Sequence, residues 1–213
     1  MSTNRDLSSP GQRFGARLGR PTSAESLQHK VISAERDTLE TGWQRLVDDA
    51  SVINAAGLVV AARRRFVTAA GKSYALAHLL ATDLSVGLSQ VQLVDAASGH
   101  GVSMITDVRD SDVLIAIGLR RYRAETAALA RAFAERGGTV VAISDAADSP
   151  LASAAKVLIT VPTTSASHVD SVTAVVSAGH LLTTLAAASA KGARRRIADR
   201  ELINDQLGLY TQE

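Results

Sequence analysis

Residues 112–126 read D-V-L-I-A-I-G-L-R-R-Y-R-A-E-T. Val113 to Ile117 form a short, almost wholly apolar run with β-branched residues, the pattern of a strand buried on both faces. The run ends at Gly118, Arg120, Arg121 and Arg123 follow, and an amphipathic helical pattern begins. The first turn of a helix leaves backbone N–H groups unpaired and carries partial positive charge, so three arginines beside it can seat a phosphate or a carboxylate. They could equally solvate a surface turn, and this stretch alone leaves both readings open.

Working outward, the same alternation of apolar strand and helix recurs. On the C-terminal side, residues 122–136 carry Leu129, Ala130 and Phe133 on one helical face and stop at Gly137-Gly138. Residues 139–144 (T-V-V-A-I-S) read as a strand, Ser149-Pro150 as a helix start and 157–161 as another strand. A long helix is expected over 168–190, apolar around most of its circumference and so in need of burial on more than one side, inside the domain or against a second subunit. A homodimer contact is the preferred reading, and 193–207 reads as a last, Arg-rich helix.

On the N-terminal side, Phe66-Val67-Thr68-Ala69-Ala70 is a strand, Gly71-Lys72-Ser73 a turn and 74–86 a helix. Residues 91–94 form the next strand, and 98–101 a glycine loop holding His100 before a short helix at 102–108. From Val31 the pattern is helical, with Trp43 on the apolar face and a break near 48–51. Residues 1–30 are expected to be a disordered or loosely docked basic tail, since Leu7, Phe14, Leu18 and Leu27 are too few to support a packed unit. This divides the chain into a tail at 1–30, a domain at 31–192 and a C-terminal helix and tail at 193–213.

The fold class is therefore α/β, a doubly wound five-stranded parallel sheet, for which the flavodoxin-like order 2-1-3-4-5 is assumed. In that order, ligands bind beyond the strand ends where the order reverses, between the first and third strands. The loops meeting there are Gly71-Lys72-Ser73 and residues 118–126. Gly71-Lys72-Ser73 resembles the tail of a phosphate loop, but Phe66 stands where the full pattern needs glycine, which argues against a nucleotide triphosphatase. A helix-capping role for Ser73 is the other reading of that turn.

Composition narrows the classes. With 46% hydrophobic and 21% charged residues the 213-residue chain has the make-up of one ordinary globule, and with 3% aromatics its core must be built from Ala, Val, Leu and Ile. The absence of cysteine excludes disulfides, thiolate metal sites and cysteine catalysis. The five histidines show no metal-ligand spacing, so no metal and no cofactor are expected. Outside residues 1–30, 18 basic side chains face 19 acidic ones, which is no general polyanion binder. No secretory signal and no membrane span are read, and the cytoplasm is the expected location.

The run R-R-Y-R-A-E-T, the helix after it, Gly137-Gly138, T-V-V-A-I-S-D and Ser149-Pro150-Leu151 resemble the sugar isomerase (SIS) domain as it occurs in RpiR-type transcriptional regulators. The resemblance extends over about residues 31–190. It implies a SIS fold, a phosphorylated sugar or related anion as ligand, and a homodimer. It adds Tyr122, Glu125 and Thr126 to a pocket already holding Gly71, Lys72, Ser73, Gly118, Arg120, Arg121 and Arg123, with His168 at a helix start also able to line it. Two departures stand out. The serine-rich phosphate loop of many SIS proteins is replaced by Leu119-Arg120-Arg121-Tyr122-Arg123, and the 30-residue tail is too short for a helix-turn-helix domain, so DNA is not expected as a partner without a separate DNA-binding domain. The leading expectation is a stand-alone sugar-phosphate sensor. The rival is an aldose–ketose isomerase with Glu125 as base and His100 or His168 as proton relay, and a nucleic-acid-binding role for the basic tail is a third.

Overall fold

Strands with no polar face are stable only between two layers of helix, and residues 64–160 are arranged in that way. The computed structural model describes residues 9–96 and 99–211; the start of the expected tail, with Leu7, and Ser98 of the expected glycine loop lie outside the described residues. In chain order the elements are α1 (Pro10–Leu18), α2 (Ala24–Asp48), α3 (Ser51–Ala61), β1 (Arg64–Ala69), α4 (Ser73–Gly87), β2 (Val91–Asp95), α5 (Gly99–Thr106), β3 (Asp112–Gly118), α6 (Ala124–Glu135), β4 (Thr139–Ser144), β5 (Val157–Thr160), α7 (Thr173–Ser189) and α8 (Ala193–Leu207). The five strands form one parallel sheet in the order β2-β1-β3-β4-β5, the order expected from the sequence.

Alternate strand residues feed two cores, as the two-residue period of a strand requires. Val67, Ile115 and Ile143 point to the layer formed by α3, α4 and α7, where Val59, Leu84 and Leu182 close over them. Phe66, Leu114 and Val140 point the other way, onto Leu129 and Phe133 of α6 and Met104 of α5. Phe66 and Phe133 meet edge-on at 6.0 Å. The unusual all-round apolarity of α7 is accounted for largely within the chain, because α2, α3 and α4 all pack on it. No single helix among the described residues is long and apolar enough to cross a membrane.

Polar contacts place the elements that composition misplaces. Where the sequence suggests a disordered or loosely docked tail at 1–30, the described part, from residue 9, is mostly helical. Ser9 and Gln12 close a reciprocal capping box on α1, and Ser23 caps α2, which begins seven residues before the apolar period sets in. The reason is that α1 is seated by charge and hydrogen bonds, not by the apolar groups on which a composition argument rests. The long helix expected from residue 168 begins only at Thr173. Glu35 of α2 accepts from the hydroxyls of Ser171 and Thr173, both at 2.6 Å, and Ser171 N–H donates to the Thr163 carbonyl, which holds residues 163–172 as a loop. Ser149-Pro150 opens a pair of turns, not a helix, and drives Leu151 into the core beneath Gly118. Trp43, expected to pack, is 53% exposed and donates its indole N–H to Ser177 Oγ at 2.7 Å.

The N-terminal end of the sheet is pinned by two arginines. Arg65, buried, donates to the carbonyls of Val59, Val60 and Ser89 and so caps the C-terminus of α3. Arg64 grips the fully buried carboxylate of Asp112 with two N–H groups, at 3.0 and 2.5 Å, and the Arg109 amide adds a third donor at 2.9 Å. Burial works to raise the Asp112 pKa, but the Arg64 guanidinium and the Arg109 amide outweigh it and hold the carboxyl below its usual value. A depressed folded-state pKa contributes stability above the unfolded-state value, and that stability fades as the pH falls through the carboxylate range. Asp112→Asn is expected to cost about 3 kcal/mol of unfolding free energy at neutral pH, because it leaves a cation without its buried partner. Urea denaturation should show the gap between wild type and variant narrowing as the pH is lowered.

Candidate functional site

The chain leaves β1 toward β2 and β3 toward β4, in opposite directions across the sheet, so the loops after β1 and β3 diverge and open a crevice between them. A cavity of about 240 Å³ occupies this crevice. Its walls include Gly71, Lys72 and Ser73 from the first loop, Gly118, Arg120, Arg121 and Arg123 from the second, and Thr126 from the first turn of α6. The topology thus brings together the two loops selected on chemistry.

Local backbone demands explain both glycines. Gly71 has φ +60°, the left-handed region that a side chain disfavours, and this turns the chain sharply from β1 into α4. Gly118 sits under Leu151: a β-carbon there would stand 2.7 Å from Leu151 Cδ1. Ser73 is the first residue of α4, and neither α4, with Lys72 at its N-cap, nor α6, with Arg123 at its N-cap, has a side-chain cap. Two helix N-termini whose N-cap residues give no side-chain cap therefore face one cavity, beside five cationic side chains once Arg13 is counted. Thr126 is 2% exposed, and its hydroxyl has no hydrogen-bond partner. A buried donor on a cavity wall without a partner costs free energy unless a ligand or water meets it.

Three expected site residues lie elsewhere. Tyr122 does not line the cavity: its hydroxyl donates to Asp145 Oδ1 at 2.8 Å, and the Arg120 guanidinium lies 5.9 Å from its ring centre. Burial raises the Tyr122 pKa, so the phenol stays protonated and acts as a donor. Glu125 is also outside the lining and pairs with Arg123 at 2.7 Å. Hydrogen bonding to its own backbone amide, then Arg123, lowers its pKa. His168 belongs to the loop before α7; its ring packs edge-on against Phe14 of α1 at 6.2 Å and contacts Ser167 Oγ. His100, the other expected relay, opens α5 and is exposed.

The cavity also has residues that the sequence reading passed over. Pro10 and Arg13 of α1 form part of its rim, and Val169, Asp170 and Val172 form another. Arg13 meets the Asp170 carboxylate at 3.0 Å and donates its Nε–H to the His168 carbonyl at 3.0 Å. Arg17 donates to the Ser167 carbonyl at 2.7 Å and lies 3.8 Å from Asp170. Lys72 donates its ammonium to the Asp170 backbone carbonyl at 3.2 Å. Burial raises the Asp170 pKa, and the two arginines oppose that rise. A signal for this arrangement existed: Arg13 and Arg17 are four residues apart, on one face of a helix, and Asp170 is a lone acid in an apolar stretch. A larger, open groove of about 680 Å³ lies by the α7–α8 corner, but the buried guanidinium in its wall, Arg65, already serves three backbone carbonyls.

Comparison with known proteins gives these features a family. The fold is similar to the sugar isomerase domain of an RpiR transcription factor from Sphaerobacter thermophilus, with a TM-score of 0.73 at 21% identity over 82% of this chain and 97% of that one. It is similar to the Vibrio vulnificus NanR protein complexed with ManNAc-6P, with a TM-score of 0.70 at 15% identity over 92% of this chain and 75% of that one. It is also similar to E. coli CFT073 c3406 in complex with a phosphosugar, with a TM-score of 0.60 at 17% identity over 78% and 92%. No curated protein matches the chain in sequence. The SIS domain model matches residues 58–188, from the end of α3 to the end of α7, and so takes in every strand and both loops of the crevice. The chain belongs to the SIS domain family.

Proposed function

We propose that the β1–β3 crevice binds a phosphorylated sugar, and that the chain senses this ligand without transforming it. The phosphate would lie between the Gly71-Lys72-Ser73 turn and the Gly118–Arg123 loop, where the N-termini of α4 and α6 and the side chains of Lys72, Arg120, Arg121 and Arg123 converge. The observation that carries this reading is the buried Thr126 hydroxyl, left without a partner on the wall of a cationic cavity. The phosphosugars in the complexes of two proteins of similar fold support it.

Sensing is preferred over isomerisation because of Glu125. A base that moves a proton between adjacent carbons must reach the substrate and be able to hold the proton. Glu125 lies off the cavity, is tied to Arg123 and has a depressed pKa.

The ligand-bound form is proposed to be a homodimer joined through the outer face of α2, α4 and α7. Trp43, Leu79 and Val176 remain exposed there, and Leu79 and Val176 share the wall of a small apolar cavity of about 130 Å³. Val176→Asp is expected to convert a dimer to a monomer in light scattering.

Isothermal titration should give saturable heats with ManNAc-6P or arabinose 5-phosphate and none with unphosphorylated ManNAc; uniformly flat heats would count against the pocket. Replacing Arg123 by Ala is expected to weaken binding about tenfold, the scale of one charge-assisted contact. Incubated in heavy water with the chain, either phosphosugar should show no deuterium at the carbon next to its carbonyl by NMR. Exchange that disappears in Glu125→Gln would establish the isomerase instead.

A further inference from the structure

The N-terminal helix is an unusual neighbour for a phosphate pocket. It contributes little apolar surface, yet Arg13 is 5% exposed and both Arg13 and Pro10 are part of the cavity wall. Its seat among the described residues includes the Asp170 carboxylate, the carbonyls of Ser167 and His168 and the edge-on contact of Phe14 with His168. Asp170 also lines the cavity, on the same side as Lys72. The loop that carries it is also tied to Glu35 of α2 through Ser171 and Thr173, contacts that do not involve α1.

These contacts fix the sign of a coupling. With α1 seated, Arg13 and Arg17 stand against the Asp170 carboxylate and Arg13 is part of the cavity wall. With α1 lifted away, Asp170 alone presents one negative charge. An anion in the crevice must therefore bind the seated form more tightly, and by thermodynamic reciprocity an anion in the crevice must hold α1 more firmly on its seat.

We propose that α1 is a ligand-responsive strap: a sugar phosphate in the β1–β3 crevice locks it down through the Arg13–Asp170 pair, and its release reports an empty pocket. This rests on the phosphosugar reading of the crevice and adds the means by which occupancy reaches the surface. The strap converts occupancy into the exposure or concealment of residues 10–18 and of the rim beneath them. The chain's own Arg13 and Asp170 are positioning residues in this scheme, acting on the ligand through the charge of the rim.

The strap carries its own reporter, since Arg13 and Arg17 are trypsin sites. Trypsin digestion of the full chain with and without saturating ManNAc-6P, arabinose 5-phosphate or inorganic phosphate, followed by mass spectrometry, reads the rate of cleavage after Arg13 and Arg17. Cleavage there is expected to slow about tenfold with a probe that binds, the scale of ordinary allosteric coupling. In titration calorimetry, Arg13→Ala is expected to bind that probe about tenfold more weakly, and Arg13→Ala with Asp170→Asn to regain most of the loss, because the charge that Arg13 offsets is gone. Melting temperatures of the free proteins check that both variants keep the folded sheet. Undiminished binding by Arg13→Ala, a loss that persists unchanged in the double variant, or cleavage indifferent to a probe that binds would each overturn the strap while leaving the pocket standing. No binding of any probe to the wild-type chain would overturn both.

Discussion

Parallel strands cannot be joined by tight turns, so each needs a crossover helix, and where successive crossovers leave in opposite directions the sheet must open. In this chain that happens once, between β1 and β3. Everything of functional interest follows from that constraint. It sets the N-termini of α4 and α6 at one crevice, both without side-chain caps. The side chains beside them are mostly lysine and arginine, which repel the same partial charge instead of neutralising it, while the Tyr74 and Ala75 amides of α4 turn back to the carbonyls of Gly71 and Lys72.

Crowding cations around two helix N-termini is unfavourable, and the fold offsets it with three carboxylates, two of them from outside the loops. Asp145, at the end of β4, accepts from Tyr122 and lies 3.7 Å from Arg120; Glu125 holds Arg123; Asp170 holds Arg13 and Arg17. The consequence is a cavity in which Arg13, Arg120 and Arg123 are each oriented by a carboxylate before any ligand arrives. Preorganised donors lose less freedom on binding than mobile ones do. Asp170 is set apart from the other two acids because it lines the cavity itself, which is why its neutralisation by a separate helix matters to any anion entering.

Much of this was legible in the sequence, for identifiable reasons. The strands announced themselves because burial on both faces leaves no polar residue in 113–117 or 140–143, and β4 and α8 occupy the residues expected for them. The crevice loops were legible because glycine and clustered charge at a strand end have few structural uses. Tyr122 and Glu125 were assigned to the cavity by their place in a motif, and a motif does not specify which way a side chain turns; His168 was assigned by an expected helix start, and the helix begins at Thr173 instead. Tyr122 turns to Asp145, Glu125 to Arg123 and His168 to Phe14.

The sequence by itself determined the layered α/β fold and the two charged glycine loops, because these follow from hydrophobic period and local composition; the strand order that brings the loops together is assumed from the sequence and fixed by the tertiary structure. Only the tertiary structure decided that α1 is seated on the rim, that Asp170 faces the cavity and that the Thr126 hydroxyl is left without a partner. Those depend on contacts between residues more than a hundred positions apart, such as Arg13 with Asp170 and Glu35 with Ser171. Such a contact leaves no period in the chain, only isolated charges whose partners appear once the helices have packed.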